Sequence, residues 1–309
     1  MLKIKSLYKS LKTKQLLLKN ISLAHKINKY HLSFKDKKCD TLLLFFTYAD
    51  ENYFEFAITY PFFALIANPE AKVEIVLSNY NLFKKKYSHF IEFYNTNQFF
   101  KDKVIYRQVN NNFNDIRHGG AIRFLEHPIT VAKYVYIGDI DILILENILH
   151  PHLDNIKKNN LDYSNIVRPN TKRLSGLHFI NYQKMYPIKI TSIMDIINMN
   201  DEELLYKIMY MKGLRTPSES LTYRPVFGVH ISYYSRPPLK NFTTGDKLTK
   251  FVSWGPYREN YLTKYFEIKN STIGNEFFQT IKETDIKLRR IIQFIEITFY
   301  YIKNNNLCE

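Results

Sequence analysis

Tyr134-Val135-Tyr136-Ile137-Gly138-Asp139-Ile140-Asp141 is an apolar run that ends in two carboxylates one residue apart. Aromatic and β-branched residues in succession suit a strand covered on both faces. In an open α/β sheet, ligands bind beyond the carboxyl ends of the strands. Two hard oxygen ligands at such an end suit magnesium or manganese, which also accept diphosphate oxygens. A leaving nucleoside diphosphate develops negative charge, and a divalent cation stabilises that charge without a proton transfer. Two acids beside a buried strand are costly unless something answers their charge. The context therefore favours a metal-binding strand end over a solvated turn.

On both sides of this stretch, strands and helices alternate. Upstream, Thr41-Leu42-Leu43-Leu44-Phe45-Phe46-Thr47 is a continuous apolar run and reads as a doubly buried strand. A helical segment follows to about Asn68, then strands at Lys72–Leu77 and Lys103–Gln108, and a helix around Ala121–Glu126. Downstream, Ile142–Leu145 continues the apolar pattern, and Leu177-His178-Phe179-Ile180 and Val226–Ser232 read as further strands. Asp201 opens a helix through Met211, with acids in its first turn where the helix dipole favours them. From Thr284 to Lys303, Leu288, Ile291, Ile292, Ile295, Phe299 and Ile302 keep helical spacing. That tail is expected to pack on the core, with docking on a membrane or partner as its second use. The alternation predicts an α/β sandwich with a mainly parallel sheet.

The chain of 309 residues is 45% hydrophobic and 24% charged, enough to bury a core and too apolar for a disordered chain. Its two cysteines, Cys39 and Cys308, form neither a disulfide framework nor a zinc spacing and suit a reducing compartment. No signal-peptide pattern and no apolar run of about 18 residues is present. The expected location is cytoplasmic, with peripheral contact at the membrane face. Of the net charge of +15, residues 1–38 supply +10, from eleven lysines and Asp36. A basic end of this kind fits a phospholipid, nucleic acid or phosphorylated acceptor, and equally a solvated helix face.

Four segments, in order, resemble family 8 of the glycosyltransferases, which includes bacterial lipopolysaccharide galactosyl- and glucosyltransferases. Tyr48-Ala49-Asp50-Glu51-Asn52-Tyr53 is similar to the family's nucleotide-binding A-x-D-x-N-Y. Arg123-Phe124-Leu125 with Tyr134–Asp141 is similar to its arginine-bearing helix and Y-L-D-x-D strand. Ser175-Gly176-Leu177-His178-Phe179-Ile180-Asn181 resembles its N-S-G-V-x-x-I-N strand, and His230-Ile231-Ser232-Tyr233-Tyr234-Ser235-Arg236-Pro237 its H-x-x-G-x-x-K-P loop. The resemblance implies a GT-A fold, a Rossmann-like nucleotide-binding sandwich over residues 41–245. A basic N-terminal extension over 1–40 and a helical C-terminal appendage over 246–309 would flank it. It implies a nucleotide-sugar donor, expected to be a UDP-sugar, and manganese or magnesium bound by Asp139, Asp141 and His230. Asp50, Asn52 and Tyr53 would hold the nucleoside, and Arg123 and Arg236 the sugar or diphosphate. Asp201-Glu202-Glu203-Leu204-Leu205 resembles D-Q-D-x-L, which makes Asp201 and Glu202 the catalytic candidates; an acidic helix start explains the same residues.

The chain departs from the family at Leu174, where asparagine is expected, at Tyr233 in place of a loop glycine, and at Gly138 in place of a first aspartate. The expected activity is metal-dependent sugar transfer, with retention, to a glycan or lipid-linked glycan. Two alternatives stay open: a nucleic-acid-binding protein acting through its basic N-terminal segment, and a degenerate binder of sugar nucleotides. No nucleic-acid recognition motif, G-x-G-x-x-G or Walker pattern is present, so neither nucleic acid nor nucleotidyl transfer is expected.

Overall fold

The computed structural model describes residues 2–34, 38–168, 170–191, 195–218, 228–230, 260–284, 288–289, 292–293, 295–297 and 300. A six-stranded sheet organises them, in the order β3-β2-β1-β4-β7-β6. Strands β1 (Thr41–Ala49), β2 (Lys72–Leu77), β3 (Val104–Gln108) and β4 (Ala132–Ile137) are parallel. Strand β7 (His178–Asn181) runs antiparallel to β4, with Ile137 opposite His178, and β6 (Tyr163–Ser164) runs antiparallel to β7. The α/β architecture with a mostly parallel sheet is the one expected from the sequence. Ile142–Leu145 does not extend this sheet: β5 (Ile142–Ile144) pairs instead with β8 (Gly228–His230) in a separate two-stranded sheet. The break follows Gly138, after which the chain turns through the two aspartates. Of the expected strand at Val226–Ser232, the residues on either side of β8 lie outside the described residues.

Both sheet faces are covered, which is why β1 is apolar throughout. Leu43 and Phe45 face one core; Leu44 and Phe46 face the other. The first core is closed by α2 (Phe54–Ala67), α3 (Tyr80–Thr96), α8 (Asn260–Asn270) and α9 (Thr272–Thr284). Helix α2 is buried from Phe54 to Leu65, and contains Pro61. A proline withholds the hydrogen bond to the carbonyl four residues back. That carbonyl, of Ala57, accepts from the Tyr106 hydroxyl at 2.8 Å instead. Phe62 stacks on Phe277 with ring centres 4.0 Å apart, and Phe63 on Tyr265. Leu288, Ile292 and Ile295 are buried in this same core, as their spacing predicts. Ile291, Phe299 and Ile302 lie outside the described residues.

The second core is closed by α4 (Gly119–Leu125), α6 (Tyr182–Met185), α7 (Asp201–Met211) and the second half of α1 (Leu2–Leu32). Leu23, Ala24 and Ile27 are buried there, and polar clamps fix the helix. The Asn20 side chain accepts from the Ile196 amide, and Asn28 both accepts from and donates to Ile190. One ring nitrogen of His31 meets the Leu125 carbonyl at 2.8 Å, and the other accepts from the Ile188 amide. Beside α1, Arg107 bridges two fully buried carboxylates, Glu74 at 2.7 Å and Glu126 at 3.1 Å. Glu74 also accepts the amides of Ile129 and Thr130. Glu126 accepts the Tyr30 hydroxyl and the Asn110 amide. Helix α5 (Leu149–Lys158) packs beside β6, and the His152 ring bonds the Ser164 hydroxyl. Among the described residues, no helix is long and apolar enough to cross a membrane.

Candidate functional site

The carboxyl ends of β1 and β4 and the start of β7 meet at one edge of the sheet, and the sequence motifs converge there. Leaving β4, the chain passes Gly138, whose carbonyl accepts from the Thr47 hydroxyl of β1 at 2.8 Å. A Cβ on Gly138 would lie 2.6 Å from the Tyr136 ring, so only glycine lets the strand end turn beneath that ring. Asp139 follows, part-exposed, and Asp141 is buried. The β5–β8 register then sets His230 opposite Ile142, the residue after Asp141. Backbone pairing alone thus carries His230 to the aspartate pair; its side chain lies outside the described residues, as does Arg236.

Arg123, buried on α4, ties this strand end to α7. One terminal nitrogen lies 2.6 Å from Asp139 and the other 2.7 Å from Asp201. Burial works against the guanidinium charge, but Asp139 and Asp201 outweigh it, with help from Asp141, and raise its pKa. A strut between two carboxylates is not a role the sequence reveals. Its geometry depends on glycines. A Cβ on Gly176 would fall 2.8 Å from the Arg123 guanidinium and within 3.3 Å of both Asp139 oxygens. A Cβ on Gly120 would fall 3.3 Å from the Asp201 carboxylate, and one on Gly119 would meet the Tyr48 ring at 3.2 Å and Asp50 at 3.8 Å. The pair Gly119-Gly120, too short to signal a phosphate loop, instead lets α4 approach both β1 and α7.

Glu202 starts α7 beside Asp201, and the Asn200 side chain caps that helix by accepting from the Glu203 amide. A single oxygen of Glu202 takes both Nε and a terminal nitrogen of Arg168, at 2.9 and 2.6 Å. The Glu202 carbonyl accepts from the Leu174 amide. Arg168 is therefore an ion-pair partner of the catalytic candidate rather than a loose loop charge, whereas Arg173 meets the Arg168 amide through its backbone carbonyl.

Next to Leu174, Ser175-Gly176 hangs on Asn165. Its side-chain oxygen accepts from the Ser175 amide and hydroxyl and from the Ile166 amide. Its nitrogen donates to the Ser175 carbonyl and to Nδ1 of His178. All three residues are fully buried. Burial pushes the His178 pKa down to about 3, so the ring is neutral and accepts at Nδ1. Asn165 carries no motif and escapes a reading of the sequence; its distance of ten residues from Ser175 gives no periodic signal.

Asp50 follows β1 and caps the turn Glu51–Tyr53 by accepting the Asn52 amide at 2.9 Å. Asn52 is exposed, and Tyr53 is half-buried against Phe56. Burial and the Asp50 charge push the Tyr48 hydroxyl up to about 12. The structure thus brings Asp50, Arg123, Asp139, Asp141, Asp201 and Glu202 to one edge. A hard divalent cation suits the donor set of Asp139 and Asp141. Among the described residues, however, no group of three acids, histidines or cysteines could hold a metal. A cation there would need a further ligand, such as His230 or its own waters and phosphates.

No family model and no curated protein matches the chain. Among solved structures, it is similar to the galactosyltransferase LgtC in complex with donor and acceptor sugar analogs. The TM-score is 0.37, with 16% identity, over 53% of this chain and 69% of that one. An active-site mutant of LgtC aligns with a TM-score of 0.34 and 16% identity, over 58% and 68%. Likeness at this level identifies neither a family nor an activity.

Proposed function

We propose that the protein is a metal-dependent glycosyltransferase that moves a sugar from a nucleotide donor, a UDP-sugar, to a glycan or lipid-linked glycan. One observation carries the reading: Asp139 and Asp141 leave the central strand β4 at the sheet's carboxyl edge, flanked by Asp50 just after β1 and Glu202 on α7. The motif resemblance, in order along the chain, supports it. Asp139, Asp141 and His230 would hold manganese or magnesium, which would offset the charge of the departing diphosphate. Asp50, Asn52 and Tyr53 would line the nucleoside side, and Arg236 would meet the phosphates with a fork of donors. Arg123 holds Asp139 and Asp201 at fixed separation, which orients the metal side of the site against the α7 side. Arg168 holds one oxygen of Glu202 and so aims the carboxylate. Positive charge develops at the sugar carbon as its bond to the diphosphate breaks, and Glu202 would stabilise that charge. The acceptor oxygen then bonds that carbon and passes its proton to an oxygen of the departing diphosphate, with retention as the family resemblance implies.

Calorimetric titration with UDP, in manganese and in EDTA, tests the reading on the intact chain and on the Asp139→Ala, Asp141→Ala double variant. Binding that needs manganese and vanishes in the double variant is expected; UDP binding indifferent to both changes would refute the metal-bridged donor site. With a UDP-sugar that turns over, Glu202→Gln is expected to slow transfer about 100-fold or more. Unchanged turnover would remove Glu202 from the chemistry.

A further inference from the structure

Helix α1 has two apolar faces, and the core uses one. Leu23, Ala24, Ile27, Asn20 and His31 lie on the side that enters the second core. At 100° per residue, Leu11 and Leu18 fall on the opposite side and Ile21 on its flank, with 57%, 58% and 41% of their surface exposed. Lys14, Lys19, Lys26 and Lys29 are exposed beside them, and no acidic residue occurs between positions 2 and 34. The helix cannot roll to hide its leucines, because Asn20, Asn28 and His31 hold its inner face by hydrogen bonds to residues 188–196 and to Leu125.

We propose that this outward face of α1 lies on the surface of a membrane containing anionic lipid. Leucines along one side, with lysines beside them, match both layers of such a surface: the acyl boundary takes the apolar side chains and the lipid phosphates take the ammonium groups. The charge decides between occupants. A second copy of α1 would set one acid-free row of lysines against another. A nucleic acid would answer the lysines but offer its phosphate backbone to Leu11 and Leu18. Only the lipid surface satisfies both residue types. The inference stands independently of the glycosyltransferase reading, since it uses no residue of the sheet edge.

Co-sedimentation of the full chain with vesicles tests it, comparing phosphatidylcholine alone with phosphatidylcholine mixed with phosphatidylglycerol. Binding to the anionic vesicles alone is expected, weakening as salt rises. Each of Lys14→Gln and Lys19→Gln should reduce partitioning about fivefold. The pair Leu11→Ser and Leu18→Ser should reduce it about tenfold or more, with the circular dichroism spectrum unchanged because both side chains are exposed. Failure to bind anionic vesicles at low salt overturns the proposal. So does binding that survives the leucine changes, which would leave only a diffuse charge effect. A concentration-dependent dimer abolished by the leucine changes would assign the face to a second copy, and tighter binding to duplex DNA than to vesicles would assign it to nucleic acid. None of these outcomes alters the manganese-dependent UDP titration, so the two readings stand or fall separately.

Discussion

Gly176 has room at the sheet edge because it has no side chain. The Arg123 guanidinium beside it is pinned by two carboxylates and cannot swing aside without breaking an ion pair. Gly176→Ala should therefore cost about 1–3 kcal/mol of stability through overpacking and displace Asp139, measured as a lower urea midpoint together with weaker manganese-dependent UDP binding. An unchanged midpoint would mean that Arg123 yields freely and is no strut. At this scale the sequence discloses the residues that belong to the strand itself: Asp139 and Asp141 sit at the end of β4, where the apolar run puts them. It does not disclose Arg123 between Asp139 and Asp201, Arg168 on Glu202, or Asn165 under Ser175. Each joins segments ten to 78 residues apart, and no local spacing encodes such a meeting.

Among the elements, β1, β2, β4 and α7 are legible because each carries an unambiguous signal: unbroken apolar runs for the strands, and a capped acidic start for Asp201–Met211. Helix α3 goes unread in the sequence, although its buried Phe83, Tyr87, Phe90 and Tyr94 keep helical spacing. The separation of β5 from the main sheet is also hidden, since Ile142–Ile144 is as apolar as any buried strand. Between elements, the bridge of Glu74 on β2, Arg107 on β3 and Glu126 after α4 joins three parts of the fold through one guanidinium. Removing it leaves two fully buried carboxylates without their counter-charge. Arg107→Ala should destabilise the protein by about 3–5 kcal/mol, read from urea unfolding. A loss under about 1 kcal/mol would put water at this bridge and leave it the energetics of a surface pair.

For the molecule as a whole, two neutral histidines set an acid limit. Burial pushes His31 and His178 down to about 3. A histidine whose folded pKa lies below its unfolded value near 6.5 takes up a proton on unfolding, so stability falls as pH drops between those values. Each group contributes about 1.4 kcal/mol per pH unit in that window. The melting temperature should therefore decline steeply from pH 6 to pH 4, and His31→Gln should flatten the decline. A pH-independent melting temperature over that range would show that one or both rings are already charged in the fold.

The stacking of Phe62 on Phe277 has a consequence for how the protein is made. A ribosome emits the chain from its N-terminus, so α2 emerges long before α8 and α9, which cover its outer side. Some 215 residues separate the two stacked rings. At common rates of translation the newborn chain carries Phe62 and Phe63 uncovered for roughly ten to forty seconds. Over that interval the apolar helix that later becomes the middle of the first core is the part of the nascent chain most in need of a chaperone.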